Sequence, residues 1–555
     1  MFRFIALVVV VAVVAGYQVA GYRVAGAGAP PPVPIRFEEI ATKSGLNFQL
    51  RNAATGKFHQ IELTGGGVAV LDYNHDGCAD VFFTNGAAIP SLKKTGPEFH
   101  NRLFRNNCNL TFTDVTNQAG LAGEGYSMAV AVGDFDNDGF SDLFVTGVDR
   151  NFAYRNLGDG RFADVTAKAG LAGGRMWSVS AGWLDYDLDG WLDLFVSNYV
   201  VWDAATEPRC GTPEQQFYCH PKEYTGLPDQ LFHNNHDGTF TDVSTASGIG
   251  RHIGKGMGIA FADMDGDGLT DIFVANDSVR SFLFHNEGDG KFNEMGLEAG
   301  VALREDGYAI AGMGADFRDF DNDGRPDLVV SGIINDSFQL FRNGRGFEDY
   351  ASRTGLLMAT RPFTGWSLGM YDFDNDGFKD LFFALSHLAQ LDRYLGRASA
   401  LANRIFRSVG GKRFEDVSAA AGPAFQLPAM HRGVAFGDFD NDGRIDAVVS
   451  VLNGPAKLFR NVSGGPSHWL AFELQGTRAN RSGLGAKVHL HLADGRDLYN
   501  HATTSVGYAS SSEALVRFGL GAIRLADRVE VQWPGGRLQV LTDVAADRIV
   551  KVIEP

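Results

Sequence analysis

Asp134, Asp136, Asp138 and Asp142 stand at positions 1, 3, 5 and 9 of a loop whose sixth residue is Gly139. Four carboxylates held so close repel one another unless a cation lies between them. Calcium suits such a loop, because it takes six to eight oxygen ligands in flexible geometry and tolerates a glycine at the sharp turn. Position 12 carries no glutamate, and the loop runs straight into Leu143-Phe144-Val145, so it joins two strands rather than two helices.

The pattern recurs. The same positions are filled by Asp72, Asn74, Asp76 and Asp80; by Asp185, Asp187, Asp189 and Asp193; and by Asp263, Asp265, Asp267 and Asp271. Three further sets are Asp319, Asp321, Asp323 and Asp327; Asp372, Asp374, Asp376 and Asp380; and Asp438, Asp440, Asp442 and Asp446. Six loops with four aspartates and one with three account for 27 of the chain's 66 acidic residues. Up to seven calcium ions would bring the formal charge of -17 to about -3. Asn74 keeps the oxygen but gives up one charge, so the first loop is expected to bind least tightly. Plain acidic turns would favour Asp and Gly too, but they do not require oxygens at four fixed positions seven times over. A calcium role in holding the fold, rather than in catalysis or sensing, is expected.

Each loop sits between the same elements. A small-residue strand precedes it, as in Met128–Gly133, and an apolar strand follows, as in Leu194-Phe195-Val196. Next come an L-F-R-N-like strand, as in Leu103–Asn106, a Gly/Asp turn, and a strand such as Phe162–Thr166. Four short strands with turns between them make a propeller blade. The seventh unit lacks its fourth strand after Leu458–Asn461, whereas Phe37–Ile40 supplies one near the start of the chain. The fold class expected is therefore all-β: a seven-bladed propeller closed by an N-terminal strand and followed by a small β-sandwich-like domain. The small inner strands are assigned to the crowded ring axis.

Residues 1–29, with Arg3 and the apolar run Phe4–Ala15, have the layout of a signal peptide. Secretion to an extracellular or periplasmic space is expected, the alternative being an uncleaved N-terminal anchor; no stable membrane span is expected after cleavage. Residues 30–462 are assigned to the propeller, 463–466 to a linker, and 467–555 to a separate β domain. Insertions fall at 86–101, 199–228 and 385–402, the last with a helical spacing of Leu388, Leu391 and Leu395. An even count of four cysteines suits an oxidising compartment. Cys210 and Cys219 are expected to pair; Cys78 and Cys108 either pair or remain buried thiols.

These repeats resemble the FG-GAP or VCBS repeat of integrin α-subunit propellers and many secreted bacterial proteins, which implies that the loop aspartates are calcium ligands. The C-terminal segment resembles the ASPIC/UnbV domain through Asn480–Ala486, Phe518–Gly521 and Trp533–Gly536. Together they resemble the cartilage acidic protein family and its bacterial relatives, for which no general reaction is implied.

No nucleophile motif, zinc-protease motif or phosphate-cradling loop is present, so no enzyme is expected. The strongly acidic balance argues against a nucleic-acid partner. Residues before the inner strands, namely Trp177, Lys255, Trp366, His431 and Arg432, are candidates to meet a ligand at one ring face, the tryptophans by stacking on sugars and the cations by meeting an anion. His59 is a further candidate of the same kind; packing between blades is the alternative for each, and capping of a strand end is the alternative for His59. The function expected is a secreted adhesion or ligand-binding scaffold for an extracellular protein or glycan; the alternative is a propeller-based polysaccharide hydrolase or lyase.

Overall fold

The computed structural model describes residues 34–389 and 396–555. The signal-peptide expectation, Leu391 and Leu395 lie outside these residues. Among the described residues, no helix is long and apolar enough to cross a membrane.

Alternating apolar runs of four to seven residues, punctuated by glycine and aspartate, leave each strand only its neighbours in sequence to pair with. Between residues 34 and 462 this gives seven four-stranded antiparallel sheets among the described residues. Blade 1 consists of Val68–Leu71, Asp80–Phe83, Arg102–Asn106 and Phe112–Asp114. Blades 2 to 6 repeat that order, with inner strands Ser127–Gly133, Ser178–Leu184, Gly256–Ala262, Ala315–Arg318 and Gly365–Tyr371. Blade 7 is completed from the other end of the chain. Phe37–Glu39 pairs antiparallel with Lys457–Asn461, with Phe37 opposite Asn461. The ring closes as the displaced strand implied, and Phe37 stacks on Phe425 at 5.5 Å to seal the seam.

Both disulfides form, Cys78–Cys108 within blade 1 and Cys210–Cys219 within the second insertion. The first ties position 7 of the Asn74 loop to the turn between the outer strands of its blade. Covalent reinforcement therefore falls on the loop with the fewest carboxylates.

The C-terminal residues form two sheets. Val516–Gly521, His468–Gln475 and Arg548–Ile553 make one; Asp497–His501, Lys487–Leu492, Leu525–Gln532 and Leu538–Ala545 make the other. They share a core that includes Phe472, Leu490, Val529 and Trp533. The expectation of a separate domain needs correction, because residues 503–513 leave these sheets and enter the ring. There the Ser511 N–H donates to Val68 O, Val130 N–H to Ala509 O, and Ala315 N–H to Gly507 O. Ser180 Oγ and Ser367 Oγ accept from the N–H groups of Ala509 and Tyr508, and Phe436 O accepts from Glu513. The segment is a plug reaching six blades by hydrogen bonds, and Gly258 of the remaining blade lies against Gly507.

This also revises why the inner strands are so small. A Cβ on Gly182 would come within 2.2 Å of Ser505 Oγ, and one on Gly67 within 2.7 Å of Ala509 O. The plug, and not only the crowding of blades, excludes larger side chains there.

Candidate metal centres and ring faces

In every loop the chain wraps its first aspartate. The Asp134 carboxylate accepts from the N–H groups of Asp138 at 3.1 Å and Gly139 at 2.8 Å. Asp138 Oδ1 accepts from Phe140 N–H at 2.9 Å. Asp142, buried at position 9, accepts from Phe135 N–H at 3.0 Å and Asn156 N–H at 2.7 Å. Oxygens of Asp134, Asp136 and Asp142 converge to within 4.8 Å of one another.

Position 3 is different. Among the described residues Asn74 Oδ1, Asp136 Oδ1, Asp321 Oδ1, Asp374 Oδ1 and Asp440 Oδ1 are buried with no hydrogen-bond partner. An unpartnered buried oxygen costs about 1–3 kcal/mol, and the same orphan at the same position in five loops fits an oxygen reserved for a cation. In the other two loops, histidines approach: His233 Nδ1 lies 3.4 Å from Asp187, and His285 Nδ1 lies 3.9 Å from Asp265.

Burial raises these carboxyls first, and the neighbouring aspartates add to it. Asp80 and Asp185 are pushed up to about 8, Asp134 to about 7, and Asp319 and Asp438 to about 6. A folded pKa above the unfolded value means a contribution complete below about pH 4 and lost progressively as pH rises to the folded values of roughly 6 to 8. At neutral pH such loops weigh against the fold unless a divalent ion offsets their charge. The arginine of the L-F-R-N strand does so in part: Arg342 contacts Asp321 and Asp323, each at 2.5 Å. The donor set is all oxygen, which suits calcium. Position 1, 3, 5 and 9 side chains of each loop would hold it.

The asparagine of the same strand carries a role that its recurrence signalled but its chemistry did not reveal. Asn234 N–H donates to Asp193 in its own blade at 2.8 Å, while its Nδ2 donates to Phe135 O in the preceding blade's loop, also at 2.8 Å. Asn106, Asn156, Asn286, Asn343 and Asn461 make the equivalent reach to Phe439, Tyr73, Tyr186, Met264 and Phe373. Each asparagine thus latches one calcium-type loop to the next blade. Asn234→Ala should cost about 1–3 kcal/mol, since it strands a buried carbonyl; urea denaturation measures it. Asn461, at 0% exposure, is accordingly closed to glycosylation despite its Asn-x-Ser spacing.

The opposite ring face does not present the ligand-contacting residues expected there. Trp177, Trp366 and His431 are 1% exposed, Arg432 is 0% and Lys255 is 8%. The 199–228 insertion and the plug cover the tryptophans, Lys255 and Arg432, while His431 is buried against Leu385 of blade 6. Trp177 packs edge-on to Tyr199 at 5.0 Å, and Trp366 lies between Tyr508 and the Arg432 guanidinium, 3.8 Å above its ring. Lys255 Nζ donates to Pro221 O at 2.6 Å. None of the five has a surface on which a sugar ring could stack, so glycan stacking on Trp177 and Trp366 is excluded. His59 Nδ1 sits 2.5 Å from Glu207 of the same insertion, whose other oxygen accepts from Gln60 N–H. His59 pins the insertion down rather than capping a strand.

His431, 3.0 Å from Leu385 O through Nδ1, is pushed down to about 4 by burial, with Lys457 and Arg432 adding to the effect. Its folded value lies below the unfolded one. The ring's contribution is therefore complete above about pH 6.5 and lost as pH falls, reaching about 3 kcal/mol by pH 4. Stability of His431→Gln should fall less steeply than that of wild type between pH 6.5 and 4, read by urea midpoints at each pH.

The FG-GAP-like repeat family matches residues 72–145, 134–196, 225–274, 263–330 and 319–383, and the ASPIC and UnbV family matches 476–555. Cartilage acidic protein 1 of Mus musculus is 26% identical over 525 residues, covering 88% of this chain and 73% of the relative. That of Homo sapiens is 26% identical over 525 residues, with 88% and 71% covered. Among solved structures, an Agrocybe aegerita protein described by its recognition of non-reducing terminal N-acetylglucosamine aligns over 74% of this chain and 95% of its own, at 15% identity and a TM-score of 0.39.

Proposed function

Given that the chain belongs to the FG-GAP-like repeat family and carries an ASPIC and UnbV domain, we propose that it is an extracellular, calcium-stapled scaffold that binds a protein partner. The propeller fold supports a ligand-binding scaffold. The observation that carries the calcium reading is the partnerless buried oxygen at position 3 of five loops. Two disulfides support the extracellular setting. In this reading calcium supplies charge neutralisation at each loop. The chain's own groups supply the rest: backbone N–H groups orient the first, fifth and ninth carboxylates, and the asparagine latches pass that order between blades.

Binding rather than catalysis is supported by the closed channel. The plug fills its axis, and the insertion with Glu207 and Tyr218 covers the far face, where Tyr218 donates to the buried Glu62 at 2.9 Å. Among the described residues, the axial position that a propeller enzyme would use is occupied by the plug's own side chains, Tyr508 among them.

The test is calorimetric titration of the chelated protein with calcium. Uptake of several ions per chain is expected, the Asn74 loop filling last; no uptake would overturn the calcium reading. Turnover of any polysaccharide or peptide by the calcium-loaded chain would overturn the scaffold reading.

A further inference from the structure

Away from the aspartate loops, the outer face of the strand Lys487–Leu492 brings together side chains of a different kind. Val488, Leu490 and Leu492 point into the C-terminal core, so Lys487, His489 and His491 share the opposite face. In register, His491 faces Asp497 on one neighbour, and His489 faces Glu530 on the other. We propose that His489, His491 and Asp497 form a zinc site, distinct in chemistry from the oxygen-only loops.

Three features carry it. Asp497 Oδ1 lies 3.1 Å from His489 Nε2 and 2.6 Å from His491 Nδ1, so one carboxylate oxygen stands between two imidazole nitrogens. Ligands about 2.0–2.1 Å from a tetrahedral ion are themselves roughly 3.3 Å apart, so the His489 pair already stands near that spacing and the His491 pair must open by about 0.7 Å to admit the ion. The two rings have centroids only 4.0 Å apart, an arrangement that a metal accepting both nitrogen lone pairs stabilises. Finally, the remaining nitrogen of His489 is 3.4 Å from Glu530 Oε2, the carboxylate–histidine contact that fixes the ring tautomer in zinc sites. Tyr499 stacks on the His489 ring at 4.1 Å and holds its plane.

Two imidazoles and one carboxylate suit zinc and are poor ligands for calcium, which takes oxygen. Three protein ligands leave a fourth position open. His489 also lines, with Tyr499 and Glu530, a cavity of about 310 Å³ between the C-terminal sheets and the loops beginning at Asp185, Asp263 and Asp319. Lys487, on the same strand face, reaches Asp263 at 2.5 Å and so ties the zinc-site strand to a calcium-type loop.

The experiment is equilibrium dialysis of the full chain against zinc chloride in millimolar calcium, which keeps the aspartate loops occupied. One zinc per chain is expected. Uptake should be lost in His491→Ala and Asp497→Asn, and about 10–100-fold weaker in Glu530→Gln, with thermal unfolding in calcium unchanged in all three. Absence of zinc uptake under calcium would overturn the proposal. So would uptake that His491→Ala leaves intact, which would place zinc at the loops holding His233 and His285. Should a variant fail to fold, the wild-type chain loaded with cobalt(II) decides: a visible spectrum of four- or five-coordinate cobalt supports the site, and a six-coordinate one overturns it.

Discussion

Chelated at neutral pH, the protein should lose much of its resistance to heat, with its unfolding midpoint falling by roughly 10 °C relative to millimolar calcium. Extracellular calcium modules bind at about 10⁻⁴–10⁻³ M. At free calcium ten times Kd, each independent site adds about 1.4 kcal/mol, and seven would add roughly 10 kcal/mol, the scale of a whole domain's stability. The loss should exceed simple absence of binding, because the buried carboxyls of Asp80, Asp134 and Asp185, raised by burial, are then forced either to ionise beside one another or to take up protons. Differential scanning calorimetry with and without chelator is the measurement. A midpoint that moves by only a few degrees would return the loops to the status of acidic turns.

Tyr508→Ala is expected to be the most damaging single substitution in the plug. Tyr508 is 0% exposed, packs against Trp366 at 5.5 Å, and its hydroxyl donates to Thr64 O. Truncating a large buried aromatic costs about 3–5 kcal/mol, whereas Tyr508→Phe, which removes only the hydrogen bond, should cost about 1 kcal/mol. Because the plug bonds to inner strands around the ring, the loss should lower one shared urea transition. Two transitions, with the propeller's own midpoint unmoved, would show that the plug is not part of the ring's core.

The ring was legible because it is periodic. Seven copies of the aspartate loop expose the unit, and the stray strand at Phe37–Glu39 announces closure. The C-terminal fold was legible in its alternation, as at Lys487–Leu492. What escaped was contact between segments far apart in sequence. Nothing local in Thr503–Glu513 distinguishes a plug from a loop, since its small, polar residues are those of any turn; only the fit against Gly67 and Gly182 assigns it to the axis. Trp177 and Trp366 misled for the same reason. Their position before an inner strand predicts a ring face correctly, but the cover that buries them comes from residues 199–228 and 503–513. The latch asparagines were visible as a repeated letter, yet their partners sit about 80–100 residues earlier in the chain for most blades, and across the closure for Asn106.

The strand that completes blade 7 also dictates an order of events during synthesis. Phe37–Glu39 is made first, and its partner Lys457–Asn461 is made some 420 residues later. At about 5–20 residues per second the opening strand waits roughly 20–85 s with its backbone edge unpaired, and unpaired edges invite pairing with other chains. The plug arrives later still, after the seventh blade. Ring closure therefore waits for the seventh blade and axis filling follows it, and a chain truncated anywhere before Lys457 leaves the strand Phe37–Glu39 with no partner to receive it.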